Sequence, residues 1–175
     1  MQQMLANLRA RREDERGFTL IELMVVVLII AILIAIAIPT FLGAKTRAQD
    51  KAAQSSLRNA LTNAKGIYTD ADSYLGATPS ALLTAEPSLQ FTASFSDGPK
   101  KVSVATDATR FVAAALSAGG NCYVIGDGAT GPGTVFENLG KVGAGNCTAP
   151  AVTTMPAGVP TTANSTAGGG WAAAW

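Results

Sequence analysis

Few side chains in this sequence could carry out acid–base or nucleophilic chemistry. The 175 residues include no histidine, so the commonest general base and the commonest metal ligand are both missing. No serine or cysteine can have the histidine partner that most often activates a nucleophile. The charge is nearly balanced, with 13 Lys and Arg against 12 Asp and Glu, which provides no long-range field for nucleic acid. We expect a protein that is not an enzyme, with no catalytic residues, no metal, no cofactor and no specific nucleic-acid partner.

The two cysteines, Cys122 and Cys147, form an even pair. The region around them has no zinc-binding spacing. If it lies outside the cytoplasm, a disulfide is the natural interpretation, and two buried, reduced thiols are the alternative. A bridge would close a loop of about 26 residues and stabilise the fold by roughly 3 kcal/mol in the chain-entropy model.

Glu22 is the one ionisable side chain in a long apolar run. The run, Phe18–Ile38, has about 21 residues and would form about 32 Å of helix, which matches the hydrocarbon core of a bilayer. A carboxylate in such a helix costs about 2.5–3.5 kcal/mol near the bilayer centre and less near the interface. Basic residues precede the run, which favours an orientation with the C-terminal part outside. The sequence therefore predicts a single-pass membrane helix whose acidic residue needs a cationic partner.

The junction before this run reads Arg16-Gly17-Phe18-Thr19-Leu20-Ile21-Glu22. It resembles the prepilin leader of bacterial type IV pilins and type II secretion pseudopilins, in which a short polar leader ends in Gly, the mature chain begins with Phe, and Glu is its fifth residue. The resemblance implies cleavage between Gly17 and Phe18 by a membrane prepilin peptidase, which also N-methylates the new Phe18 amine. Glycine before the scissile bond leaves the backbone accessible, because no side chain crowds the approach.

The same resemblance implies roles for two residues of the apolar helix. Glu22 would pair with the Phe18 amine of a neighbouring subunit and so set the axial register during assembly. The alternative is that Glu22 only offsets the dipole of its own helix, one turn in. Pro39 would kink or break the helix, because proline removes a backbone hydrogen bond. In such filaments the stretch before it, about residues 31–39, can unwind and allow extension.

The rest of the chain predicts an α+β head. From residue 44 to residue 68 apolar residues recur at helical spacing on one face. These are Ala53, Leu57, Ala60, Leu61, Ala64, Ile67 and Tyr68. We expect one helix of roughly 50 residues, whose apolar half protrudes and whose amphipathic half packs on a small antiparallel β-sheet, as in pilins.

Strand patterns follow the helix. Alternation in residues 89–95 and 101–105, around the turn Asp97-Gly98-Pro99, predicts a hairpin. A short helix is expected near Ser80–Thr84. Further strands are expected at Arg110–Leu116 and Cys122–Ile125, with a weaker pattern at Thr134–Phe136.

These patterns divide the chain into five segments. They are a leader (1–17), a transmembrane or filament-core helix half (18–42), an amphipathic helix half (43–68), a β-sheet head (69–148) and a Thr/Ala/Pro/Gly-rich tail (149–175). The tail has little to fold around, so we expect it to be mobile or glycosylated.

The expected function is that of a structural subunit of a type IV pilus, which polymerises into a helical surface filament after leader cleavage. Its partners would be other copies of itself, the prepilin peptidase and N-methyltransferase, the inner-membrane assembly machinery, and the lipid bilayer before assembly. It would move from the inner membrane to the cell-surface pilus. Two alternatives stay open: a pseudopilin in the periplasmic piston of a type II secretion system, and a secreted binding protein whose ordinary signal peptide ends at Ala35-Ile36-Ala37.

The cleavage site gives the first testable prediction. Mass analysis and Edman sequencing of the mature protein should find N-methyl-Phe18 as its first residue. Gly17→Val should leave full-length, membrane-bound precursor, because a branched side chain crowds the scissile bond. A mature chain that begins at Ile38 would contradict the pilin interpretation and support the signal-peptide alternative.

Overall fold

The structure, a computed structural model, describes residues 18–129, 133–143, 145–150 and 172–175. The leader (1–17) and the tail between residues 151 and 171 lie outside these residues. The chain divides into two compact units, Met1–Ala44 and Lys45–Trp175. One continuous helix of 52 residues, α1 (Leu20–Ala71), contributes to both, in agreement with the predicted length of roughly 50.

In the first unit, α1 has apolar side chains around its whole circumference. Every residue from Phe18 to Leu42 is exposed in the single chain. A helix that is apolar all round and uncovered by its own chain requires a membrane or other protein around it. By length and composition, α1 includes a stretch that could cross a membrane.

Pro39 does not end the helix, because α1 continues through it. A proline inside a helix lacks the N–H that would bond four residues back. At the next residue, the Thr40 hydroxyl donates to the carbonyl of Ile36 at 3.1 Å. The helix is therefore unbroken at Pro39, and the predicted kink stays a prediction.

In the second unit, α1 is amphipathic. Its buried residues are Ala53, Gln54, Ser56, Leu57, Ala60, Leu61 and Ala64. The predicted apolar face is confirmed, with Ile67 and Tyr68 half-buried at its end. Most of the buried residues are small, so the sheet can approach the helix closely.

A 3₁₀ helix (Tyr74–Gly76) and a short helix, α2 (Pro79–Ala85), connect α1 to the sheet. Thr78 caps α2, because its hydroxyl accepts the N–H of Ala81, and Pro79 occupies the first helical position, where no N–H is needed. The short helix predicted near Ser80–Thr84 is thus confirmed, one residue longer at each end.

Five strands in sequential order form the sheet. They are β1 (Gln90–Thr92), β2 (Lys101–Thr106), β3 (Arg110–Leu116), β4 (Asn121–Gly128) and β5 (Gly133–Lys141). All neighbouring pairs are antiparallel except β1 with β2. The predicted α+β architecture, a long N-terminal helix followed by a mostly antiparallel sheet, is confirmed. Strands β4 and β5 extend well beyond their predicted bounds.

The predicted hairpin between β1 and β2 is wrong, because the two strands run parallel. The predicted turn exists, and the Lys101 N–H bonds the Gly98 carbonyl at 3.2 Å. Between β1 and that turn, however, the chain leaves the sheet. Ser96 is buried in this segment. Its N–H donates to the Cys147 carbonyl at 2.7 Å, and its hydroxyl accepts the Leu116 N–H at 2.8 Å. Through this segment the chain returns to the level at which β1 begins, so that Lys101 lies beside Gln90 and β2 runs in the same direction as β1.

The sheet buries both of its faces. One face forms the main core with α1, and its largest fully buried side chains include Tyr74, Phe111, Leu57 and Leu82. The other face holds a smaller cluster of Val112, Ala114, Val124 and Val135 around the two cysteines. Cys122 and Cys147 form a disulfide there, with an S–S distance of 2.04 Å and Cα atoms 5.5 Å apart. The bridge ties the start of β4 to the segment after β5.

Two carboxylates hold α1 against the sheet. Asp127 on β4 is 5% exposed and accepts the Tyr74 hydroxyl at 2.6 Å and the Thr134 hydroxyl at 2.7 Å, while Lys65 of α1 pairs with it at 2.8 Å. Burial and the hydrogen bond to Asp127 raise the pKa of the Tyr74 hydroxyl. A buried carboxylate with this many donors is stable in place, whereas removing its partners would leave a costly unpaired charge.

The second carboxylate, Asp50 of α1, binds the turn between β3 and β4. It accepts the Ser117 hydroxyl at 2.6 Å and the Asn121 amide at 3.2 Å. The turn comes so close that a Cβ on Gly119 would lie 3.5 Å from the Asp50 carboxylate oxygen. The next residue, Gly120, has φ +90°, a conformation that glycine adopts without strain.

The last described residues, 172–175, pack on the second unit, whereas most of the tail expected to be mobile or glycosylated lies outside the described residues. Ala172 exchanges both backbone hydrogen bonds with Phe136 of β5, at 2.6 and 2.8 Å. The Trp175 ring packs edge-on against Phe136 and Tyr123, at centroid distances of 4.6 and 5.9 Å. Its indole N–H donates to the Glu137 carbonyl at 3.1 Å, and the Arg58 guanidinium of α1 lies 4.9 Å over its ring. These contacts anchor the C-terminus.

Trp175→Ala should destabilise the second unit by roughly 1.5–3 kcal/mol, because it removes two aromatic contacts, a cation–π contact and a hydrogen bond. Chemical unfolding of the detergent-solubilised protein, followed by Tyr and Trp fluorescence, measures the change. Phe95→Ala is the matched control, since Phe95 is 39% exposed with a single cation, Lys101, over its ring; it should cost less than about 1 kcal/mol. Equal stability of Trp175→Ala and wild type would contradict the anchoring of the tail.

Glu137 predicts a pH dependence of stability. Its side chain is 7% exposed, and burial raises the pKa of its carboxyl above the ordinary value of 4.5. The folded state therefore holds this proton more tightly than the unfolded state, so stability is lost as pH rises through the raised pKa. Glu137→Gln should remove this loss and be more stable than wild type at neutral pH.

The measurement is the difference in unfolding free energy between Glu137→Gln and wild type at increasing pH, starting below the ordinary carboxyl pKa of 4.5 and continuing to neutral pH. It should grow with pH. Asp97→Asn is the control, because Asp97 is 59% exposed and pairs with Lys101 at the surface, where an ion pair contributes little. A difference that is constant with pH would show that the charge of Glu137 is not what destabilises the fold.

Candidate processing and assembly site at the start of α1

Thr19 is the N-cap of α1. It precedes the first helical residue, Leu20, and its carbonyl accepts the first intrahelical bond, from the Leu23 N–H at 3.3 Å. Its hydroxyl accepts the Glu22 N–H at 3.2 Å, and the Glu22 carboxylate accepts the Thr19 N–H at 3.2 Å in return. This reciprocal arrangement is a capping box, in which two otherwise unpaired N–H groups are satisfied. The helix therefore has a sharply defined start.

The Glu22 carboxylate uses only one of its oxygens in this cap. The Thr19 N–H and the Thr19 hydroxyl, at 2.9 Å, both donate to Oε2. No described residue donates a hydrogen bond to Oε1, and no described Lys or Arg forms an ion pair with Glu22. The carboxylate can therefore cap its own helix and accept a cation from another molecule at the same time. The two roles that the sequence left as alternatives are geometrically compatible.

The structure brings only some of the predicted site residues together. Phe18, 85% exposed, directly precedes the capping box that contains Glu22. Gly17, on the other side of the predicted scissile bond, lies outside the described residues. Pro39 is on the same helix but about 25 Å further along, at about 1.5 Å per residue. Cys122 and Cys147 belong to the second unit.

Thr19 is the functional residue that the sequence interpretation missed. The signal was present, because Thr-x-x-Glu immediately before an apolar run is the sequence signature of a capping box. The resemblance to a prepilin leader assigns roles to Gly17, Phe18 and Glu22 and none to Thr19.

The electrostatics of this helix start favour a carboxylate. The N-terminus of a helix carries about half a positive charge, which stabilises an acidic side chain in the first turn and repels a cation. An amine released at Phe18 would add a full positive charge next to the N-cap, where the helix itself cannot neutralise it. The counter-charge of an amine must be an anion, and Glu22 is the one anionic side chain between Phe18 and Ala44.

Comparison with known families gives a match that covers this site. The family described as the prokaryotic N-terminal methylation motif matches residues 13–38. The match includes Gly17, Phe18, Thr19, Glu22 and the apolar run up to the residue before Pro39. No curated protein and no solved structure matches the chain significantly.

The helix start, the uncovered apolar helix and this match make the N-terminal part of the chain similar to precursors that carry the prokaryotic N-terminal methylation motif. The match supports a prepilin leader like those of type IV pilins and pseudopilins. The motif implies processing by a prepilin peptidase. Together with the apolar helix, it is consistent with a membrane-anchored precursor.

Proposed function

We propose that this protein is a non-enzymatic structural subunit of a type IV pilus. Its leader is cleaved between Gly17 and Phe18, and the mature chain leaves the inner membrane to polymerise through α1 into a helical surface filament. The methylation motif at residues 13–38 supports the processing step. The exposed apolar part of α1 supports polymerisation, because the same surface can be covered by lipid before assembly and by other copies of α1 afterwards.

One observation carries the assembly mechanism: Glu22 is the only charged side chain from Phe18 to Ala44, on a helix that its own chain leaves uncovered. Moving a charge into an apolar surrounding without a partner is costly. The capping box supplies hydrogen bonds to one carboxylate oxygen, but no positive charge. A subunit that packs its apolar helix among others therefore needs a cation at this depth from a neighbour.

Leader cleavage supplies that cation. Hydrolysis of the Gly17–Phe18 bond converts a neutral amide nitrogen into a charged amine, which methylation keeps as a cation. The helix dipole disfavours this charge at the N-terminus of its own helix, so a carboxylate on a neighbouring helix is the better partner. Because Oε1 of Glu22 is not used in the cap, it can accept the amine. Each new subunit would then stop at the axial position where its amine meets a carboxylate.

The head fits an exported role. A disulfide is stable outside the cytoplasm, and the one between Cys122 and Cys147 closes the region after β5. The bridge and the long Thr/Ala/Pro/Gly-rich tail favour a surface fibre over the short periplasmic piston of a pseudopilin.

Glu22→Ala tests the assembly mechanism in a strain without a wild-type copy. The variant should enter the membrane at least as well as wild type, because it loses a polar burden. It should still be cleaved, because the Thr19 hydroxyl still caps the helix. It should form few or no fibres, since a buried charge left without its partner typically costs about 3–5 kcal/mol. The membrane pool, the processed fraction and the sheared fibres are measured together, the fibres by electron microscopy and mass spectrometry.

Thr40→Ala is the matched control for Glu22→Ala. Thr40 is an exposed polar side chain near the other end of the apolar part of α1, and its hydroxyl donates to the carbonyl of Ile36 in its own helix. It should assemble normally. Normal fibre yield from Glu22→Ala would reduce Glu22 to a cap of its own helix and refute the register role. A wild type that is processed but forms no surface fibre would favour the pseudopilin.

A further inference from the structure

The position of the helix start relative to the scissile bond has a consequence for processing. The first helical residue is Leu20 and the N-cap is Thr19, so Phe18 precedes the helix. Phe18, the residue that follows the predicted scissile bond, therefore lies outside α1. Three hydrogen bonds between Thr19 and Glu22 hold the boundary at this residue.

A helix that extended across the scissile bond would hinder cleavage. Inside a helix each N–H and C=O is paired with another turn, so these groups cannot pair with a peptidase, and side chains surround the carbonyl. A stop signal is needed here, because the residue types just before the bond, Arg11-Arg12-Glu13-Asp14-Glu15-Arg16, are mostly good helix formers. Gly17 disfavours a helix, but a single glycine is often tolerated inside one.

We propose that Thr19 is a positioning residue for leader removal: its hydroxyl ends α1 at Leu20 and keeps the Gly17–Phe18 bond in non-helical chain, where the peptidase can bind it. This inference rests on the cleavage step of the proposed function. In that step water adds to the Gly17 carbonyl carbon, the bond to the Phe18 nitrogen breaks, and a Gly17 carboxylate and a Phe18 amine form. Thr19 does not take part in the bond changes.

Thr19 and Glu22 have separable effects in this mechanism. The Glu22 N–H needs an acceptor, and the Thr19 hydroxyl is that acceptor at 3.2 Å. Glu22→Ala keeps the acceptor and the backbone N–H, so the helix start survives. Thr19→Val keeps the volume and the branched Cβ but loses the hydroxyl. With it go the hydrogen bond from the Glu22 N–H to the hydroxyl and the hydrogen bond from the hydroxyl to Oε2, while the bond from the backbone N–H of residue 19 to Oε2 remains. Thr19→Ser keeps the hydroxyl and is the conservative control.

The experiment measures the initial rate of leader cleavage with full-length precursor and a prepilin peptidase in membranes. Thr19→Val should be cleaved about five-fold more slowly than wild type, the factor expected when a typical N-cap is lost. Thr19→Ser should be cleaved at the wild-type rate, because serine is at least as good an N-cap. Mass analysis should show cleavage between Gly17 and Phe18 in all three proteins.

A second background separates helix ending from direct contact between Thr19 and the peptidase. Arg16→Gly places a second glycine before the scissile bond, so that the helix cannot extend across it even without the cap. Two rates are compared in this background: that of Arg16→Gly alone and that of Arg16→Gly with Thr19→Val. Their ratio should lie closer to one than the ratio of about five expected between wild type and Thr19→Val. A smaller ratio means that the two substitutions are not additive, as expected if the Thr19 cap and the second glycine both end the helix before the scissile bond. A direct contact would leave the ratio unchanged.

The cleavage assays separate the role of Thr19 from the leader cleavage on which it depends. Equal rates for wild type and Thr19→Val, or a ratio that Arg16→Gly leaves unchanged, would overturn the role of Thr19 while cleavage of wild type at Gly17–Phe18 upholds the proposed function. A wild-type precursor that the peptidase does not cleave at this bond would refute the proposed function itself.

Discussion

The constraint on which this molecule depends is that one helix must satisfy two different surroundings along its length. Up to Leu42, α1 has apolar side chains on all sides and no cover from its own chain. From Ala53 onward it buries only one face. A backbone whose N–H and C=O groups are all paired internally is the structure that can pass from an apolar environment into water. α1 runs unbroken from one surrounding to the other, and Pro39 is the residue of its apolar part that has no N–H for this ladder.

Charge follows the same division. The apolar part of α1 carries a single charge, Glu22, at the one place where the helix itself stabilises a carboxylate. The amphipathic part carries charges that the head satisfies: Asp50 binds the turn between β3 and β4, and Lys65 pairs with Asp127 on β4. These charges of the second part are thus paired within the chain, whereas Oε1 of Glu22 accepts no hydrogen bond from any residue that the structure describes.

The head compensates for a small core with several cross-links. Its sheet has one short edge strand, β1, and a main core in which the helix contributes mostly alanine and leucine. The disulfide links β4 covalently to the segment after β5, and the contacts of Trp175 hold the last described residues against β5. Both devices join segments that are far apart in sequence, which raises the entropy cost of forming them but limits the freedom of the chain ends afterwards.

The sequence by itself determined the features that depend on local pattern. The apolar run, the change to one-sided periodicity after residue 44, and the turn at Asp97-Gly98-Pro99 are all encoded in neighbouring residues, and the structure contains each of them. The Thr19–Glu22 cap was equally local and could have been found. Only the tertiary structure decided that β1 runs parallel to β2 and that Trp175 anchors the tail. Alternation along a strand specifies which face is buried but not the direction of its neighbour, and the packing of Trp175 depends on Arg58, Tyr123 and Phe136, which only the fold brings together.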